Sequence, residues 1–134
     1  MSNVEPRTPP AIFIPAMDYD RLMEMVESTA RREPDVAAFL MDQLDRASTE
    51  GAQDDSVRMT SHVRFRDEAT GQVRQVQLVY PQQADPAAGR ISILTPVGIA
   101  LIGLSKGQSM TWKDRGGQPK SLTVLDVSNP STPA

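Results

Sequence analysis

Cysteine is absent from this chain, which excludes disulfides and thiolate metal sites. Histidine occurs once, as His62, leaving little scope for transition-metal binding or a histidine-based catalytic triad. Aromatic residues make up 4%, so there are few platforms for stacking single-stranded nucleic acid. No apolar run approaches the roughly 20 residues of a membrane helix. The N-terminus lacks the basic start and apolar core of a secretory signal, and a cytoplasmic protein with no membrane association is expected. Cations do not dominate either. The net charge of −3 and pI near 5.1 argue against sequence-independent nucleic-acid binding as the main task. A protein partner fits this balance better.

What is present fits one ordinary domain, or a small domain with a helical accessory, in 134 residues. Residues 1–10 are polar and proline-rich and read as a tail. Ala11-Ile12-Phe13-Ile14 is a short apolar run closed by Pro15, a brief strand or anchoring segment. Tyr19, Leu22, Met23, Val26 and Ala30 recur at helical spacing over 18–32, with Asp18 as the expected cap. Pro34 stops that helix. Asp35 is the expected cap of a second, over 35–48, with Val36, Phe39, Leu40, Leu44 and Ala47 as the matching stripe. Two such helices joined by a tight turn return antiparallel, forming a hairpin about 20 Å long at 1.5 Å per residue.

From Val57 the period changes to two. Val57, Met59, Val63 and Phe65 alternate with Arg58, Thr60, His62, Arg64 and Arg66. Further strands are predicted over 72–80, 90–94, 109–113 and 120–127, with a hairpin turn at Asp114-Arg115-Gly116-Gly117. The predicted fold class is α+β: a short antiparallel helical hairpin followed by an antiparallel sheet with one packed helix. The predicted divisions are a tail and anchoring segment (1–17), the hairpin (18–48), a linker (49–56), the sheet domain (57–128) and a disordered tail (129–134). The sheet domain is expected to fold without the hairpin.

The most informative stretch is 92–112. Thr95 is a good helix N-cap. Pro96 follows at the first helical position, where its missing N–H costs nothing. Val97, Ile99, Ala100, Leu101, Ile102 and Leu104 are apolar almost all round, so this short helix must be buried. Gly107 is the expected stop.

This segment resembles the signature helix of the C-terminal domain of Gre transcript-cleavage factors, and more closely that of Rnk-type proteins. Matching pieces include Met59-Thr60-Ser61-His62-Val63-Arg64-Phe65, Thr70-Gly71, Leu78-Val79-Tyr80-Pro81, Arg90 to Leu94, Thr95 to Leu104, Gly107 and Trp112. The resemblance implies an FKBP-like C-terminal fold and a shortened coiled coil before it. It implies a partner, the RNA polymerase core, met near the secondary channel, with no sequence-specific nucleic acid and the protein acting as a monomer. It also implies docking through Leu94, Thr95, Pro96 and Val97, competition with Gre-type factors, and indirect effects on nucleoside diphosphate kinase. In Gre factors a polar or acidic residue often precedes the Ser-Pro of the signature, and here Leu94 and Thr95 occupy those places, so the contact is expected to differ in detail.

No catalytic residue, cofactor or metal is expected. Glu33 and Asp35 at the hairpin tip could share Mg²⁺ with phosphates, as Gre tips do. That alternative makes the chain a cleavage stimulator. The simpler reading makes Asp35 a helix cap and Glu33 a solvated turn residue, on a hairpin too short to reach a buried active site. Arg58, Arg64 and Arg66 form a possible basic contact face, or only a charged strand that resists edge pairing. Trp112 could floor a prolyl-isomerase pocket, but so few aromatics favour a core residue whose indole N–H needs a partner. A generic interaction domain is the remaining alternative.

Overall fold

The structure, a computed structural model, describes residues 11–49, 55–114 and 116–129. The expected tails at 1–10 and 130–134, most of the linker (50–54) and Arg115 of the hairpin turn lie outside the described residues.

The chain opens with β1 (Ile12–Phe13), then α1 (Ala16–Arg32), α2 (Pro34–Arg46) and β2 (Ala47–Ser48). A single residue, Glu33, joins the two helices. They pack against one another, as their facing stripes predict. The caps differ from expectation. Pro15 precedes α1, and Asp18 sits within its first turn rather than capping it. Pro34 opens α2, because its fixed φ suits the first helical position, so Asp35 lies in the first turn and makes no cap bond. The 17 residues of α1 span about 25 Å.

β1 pairs in parallel with β2, so the two open ends of the hairpin are tied together. This strap is anchored again where the Phe13 N–H donates to the Gly103 carbonyl at 3.1 Å. Gly103 has φ +83°, and a Cβ there would come within 2.8 Å of the Ile12 Cβ. Only glycine fits.

The second sheet holds β3 (His62–Asp67), β4 (Val73–Val79), β5 (Arg90–Ser92), β6 (Ser109–Lys113) and β7 (Pro119–Ser128). Its order is β5-β4-β3-β7-β6. The sheet is mixed, not antiparallel throughout. β4 and β5 run parallel, because two short 3₁₀ turns at Pro81–Gln83 and Pro86–Ala88 carry the chain back along the edge before β5 begins. The first strand is also shorter than predicted. Thr60 turns the chain at φ +74°, and the Ser61 hydroxyl accepts the Arg58 N–H at 2.8 Å. Neither Val57 nor Met59 belongs to β3: Val57 is buried beside the isolated Ser56–Ser105 bridge, its N–H donating to the Leu104 carbonyl, and Met59 is buried from a turn.

α3 (Pro96–Leu101) packs against α2 and β6. It ends earlier than predicted, at Ile102. Gly103 takes the left-handed conformation there, and Gly107, at φ +89°, turns the chain into β6 instead. Ile99, Ala100, Leu101, Ile102 and Leu104 are fully buried. They belong to one continuous core that also contains Leu22, Leu40 and Leu44 of the hairpin and Val63, Leu78 and Val124 of the sheet. The two helices therefore lie on the sheet domain, with no gap in the core between them.

Candidate functional site

The segment 92–98 is held by a closed set of local bonds. Thr95 caps α3 as predicted, its hydroxyl accepting the Gly98 N–H at 3.1 Å. The same hydroxyl donates to the Ser92 carbonyl at 2.8 Å, and the Ser92 hydroxyl accepts the Leu94 N–H at 2.9 Å. Gly98 explains how tightly this folds. A Cβ there would lie 2.4 Å from the Ser92 carbonyl oxygen, so a side chain would push the helix off the loop. The result is a rigid corner in which Pro96 is exposed and Leu94, Thr95 and Val97 are partly exposed.

Three clefts flank this corner. Leu94 lines the first, of about 730 Å³, together with Thr29 and Arg32 of α1 and Tyr80 to Gln83. Pro96 lines two smaller apolar ones. In that of about 360 Å³ it meets Asp35, Val36 and Phe39 of α2 and Trp112. In that of about 290 Å³ it meets Phe65, Val97, Trp112 and Leu122. Arg32 thus lines a cleft with Leu94, and Asp35 lines one with Pro96. The hairpin tip therefore lies beside the corner.

The other candidate residues are dispersed. Glu33 and Asp35 are exposed at the tip, where Glu33 serves the helix junction through its backbone, the N–H donating to the Thr29 carbonyl at 2.7 Å. Arg64 is exposed on β3, opposite Gln75 and Asp126. Arg66 is engaged by Glu68 at 3.1 Å. The Thr123 hydroxyl, first of all, and then the Arg66 bond hold the Glu68 carboxyl below its usual range. Arg58 lies outside the strand, in the turn beside Asp18, so the three arginines do not form one face. Among the described residues no group of three or more His, Cys, Asp and Glu side chains is placed to hold a metal, and no helix is long and apolar enough to cross a membrane.

Sequence reasoning missed two joints between hairpin and sheet. Gln43 is 1% exposed and donates its amide to the Ile99 carbonyl at 3.1 Å, while its oxygen accepts from Arg46. Its position between Leu40 and Leu44 on the apolar stripe was the available signal. The Asp18 carboxylate accepts the Met59 N–H at 3.3 Å. Burial, first of all, raises the Asp18 pKa, against the pull of that N–H and of Arg58 and Arg21. The Arg21 guanidinium lies 4.9 Å above the Tyr80 ring. Burial first, and then the neighbouring Asp18 charge, push the Tyr80 phenol up to about 12. The buried Tyr80 hydroxyl feels that carboxylate without a hydrogen bond of normal geometry.

Comparison with known proteins accords with this layout. Residues 52–129 match the family model "Transcription elongation factor, GreA/GreB, C-term", and residues 10–48 match "Rnk N-terminus". The regulator of nucleoside diphosphate kinase from Escherichia coli (strain K12) is 37% identical over 121 residues, covering 88% of this chain and 89% of that protein. The transcription elongation factor GreA of Rhizobium etli (strain CIAT 652) is 34% identical over 108 residues, covering 81% of this chain and 60% of that protein. Among solved structures, the prokaryotic transcription elongation factor GreA/GreB from Nitrosomonas europaea superposes with a TM-score of 0.68 at 32% identity, covering 88% of this chain and 99% of that one. Matched at both ends and along its whole fold, the chain belongs to the GreA/GreB transcription elongation factor family, and within it to the Rnk-type proteins.

Proposed function

We propose that this chain is a transcription regulator that binds the RNA polymerase core near its secondary channel and acts by occupancy, without catalysing cleavage. Docking is assigned to Leu94, Thr95, Pro96 and Val97 on an FKBP-like sheet domain, in a cytoplasmic monomer. Effects on nucleoside diphosphate kinase follow indirectly from altered transcription. The family assignment supports a transcription-associated role. The observation that carries the occupancy reading is the placement of the hairpin tip beside the corner. Asp35 shares a cleft with Pro96 and Trp112, so the tip carboxylate lies at the corner itself, on a hairpin whose longer helix spans about 25 Å. Arg31 and Arg32 also stand beside Glu33 and Asp35 in sequence, which weakens any attraction for Mg²⁺.

The test is competition in a backtracked polymerase complex. Saturating protein is expected to suppress Gre-stimulated cleavage and to produce no shortened RNA of its own. The double variant Glu33→Gln, Asp35→Asn is expected to compete as the parent does. If Gre-stimulated cleavage is unchanged at saturation, the shared site is wrong. If the parent shortens RNA and the double variant does not, the protein is a cleavage stimulator.

A further inference from the structure

We propose that Gln43 is a positioning residue for the docking corner, and that the hairpin serves as the brace that fixes the rotation of α3 and so the direction in which Pro96 is presented. Its effect on polymerase rests on the docking reading above, whereas its effect on the geometry of the corner does not.

α3 has six residues and is about 9 Å long. Helices shorter than about 12 residues are marginal in water by themselves, so the placement of α3 is imposed from outside. Burial does not complete that task. Ile99, Ala100, Leu101 and Ile102 are consecutive and all fully buried, so apolar surface runs most of the way around the axis and distinguishes no single face. The hydrophobic effect is non-directional. It sets how deep the helix lies and leaves its rotation open. A directional bond from a neighbouring element is what selects one rotation.

The bonds of Thr95 and Ser92 at the N-terminal end are local and turn with the helix. The Ile99 carbonyl is different. In a continuing helix it would accept the N–H four residues on, that of Gly103. The Gly103 N–H donates instead to the Val57 carbonyl at 2.9 Å. The Gln43 amide takes its place at 3.1 Å, from a position 56 residues away in the chain. The N–H of the same residue, Ile99, donates to the Thr95 carbonyl at 2.9 Å. Two hydrogen bonds in series thus lead from the middle of the hairpin to a residue of the corner.

The orientation of the Gln43 amide is itself decided. Its oxygen accepts from Arg46, so its nitrogen is the end that faces Ile99. Arg46 also reaches the Met110 sulfur of β6 at 3.9 Å. Leu40 and Leu44 flank Gln43 on the buried stripe, where leucine would fill the space without a polar group to satisfy. A glutamine with both ends bonded at this place supplies direction, which leucine cannot.

The test combines amide NMR of the full chain with binding to purified polymerase core, at a temperature where every variant is folded. Gln43→Glu keeps the side-chain length and the acceptor for Arg46 but, ionised, has no N–H for the Ile99 carbonyl. Gln43→Met keeps the length and lacks both groups. Residual dipolar couplings of the N–H bonds of residues 97–101, referred to those of the sheet, report the rotation of α3. Both variants are expected to change these couplings and to bind polymerase about tenfold more weakly, equivalent to about 1.4 kcal/mol, because the presented geometry is populated less often. Leu22→Ala destabilises the same core from α1 with no bond to α3, and is expected to retain the parent's couplings and affinity. Unchanged couplings in both Gln43 variants would overturn the proposal. So would changed couplings at undiminished affinity, or an equal loss of affinity in Leu22→Ala, which would assign the effect to stability alone. A parent chain that does not bind polymerase would refute the docking reading instead, and the couplings would then decide the role of Gln43 by themselves.

Discussion

Phe39 of α2 and Trp112 of β6 stack across the boundary between hairpin and sheet, with ring centroids 6.4 Å apart and planes inclined by 27°. They are the aromatic joint between the two halves of the molecule. Trp112 is thus half core and half junction. Its indole N–H is buried without an acceptor among the described residues.

Phe39→Ala is expected to destabilise the fold by about 2 kcal/mol, below the 3–5 of a fully buried phenylalanine because Phe39 is only partly enclosed. Trp112 is the one tryptophan, so its emission reports on the joint directly. A red shift in the native state and a lower urea midpoint are expected together. Loss of stability with unchanged emission would place the damage elsewhere.

Gln43→Leu keeps the apolar stripe but removes the donor to the Ile99 carbonyl and the acceptor of Arg46. An orphaned buried carbonyl costs about 1–3 kcal/mol, and the variant is expected to lose that much in equilibrium unfolding. A neutral or stabilising result would mean that water replaces the amide at the junction.

Asp18 gives the pH dependence a sign. The unfolded carboxyl titrates near 3.8, and burial raises that value in the folded chain. Between the two values the native state binds more protons than the unfolded one, so stability from this group falls as pH rises through that window. Asp18→Asn retains an acceptor for the Met59 N–H and removes the charge. Its stability relative to the parent is expected to be greatest at neutral pH and to fade toward the unfolded value. Partial solvation keeps the gain below about 1 kcal/mol. Urea midpoints from acid to neutral pH provide the check, and a difference independent of pH would rule out titration of Asp18 as the source.

The fragment 57–128 is expected to fold alone, at a cost. Leu22, Leu40 and Leu44 leave with the hairpin, and each contributes about 1.5–3 kcal/mol of burial to the shared core. The fragment should therefore melt cooperatively, well below the full chain, and bind a hydrophobic dye. A random-coil circular dichroism spectrum would overturn the division between hairpin and sheet domain.

The legible parts of this fold were those with strong local signals. The stripes Leu22–Val26 and Leu40–Leu44 announced two helices, and Thr95-Pro96 announced the start of α3 to the residue. Local signals failed where tertiary contacts decided. The alternation from Val57 to Phe65 reads as one strand, but the left-handed Thr60 divides it, and burial of Val57 and Met59 continues the period outside the strand. The β1–β2 pair joins residues more than thirty positions apart through two residues each, too short for any periodic pattern. Asp18 and Asp35 have the chemistry of caps, but Pro15 and Pro34 set the helix starts ahead of them. At the candidate site the corner was readable from its capping residues. The placement of the hairpin tip beside it was not, because that depends on tertiary packing of the helices.

The strap of Ile12 and Phe13 is one of several ties between the hairpin and the rest of the fold. Phe13 bonds the Gly103 carbonyl just beyond α3, Gln43 bonds the Ile99 carbonyl within α3, Phe39 stacks on Trp112 and Asp18 bonds the Met59 N–H. With ties spread along both helices and a shared core beneath them, the hairpin has no pivot of its own. A protein held at Pro96 therefore carries its hairpin tip at a fixed place.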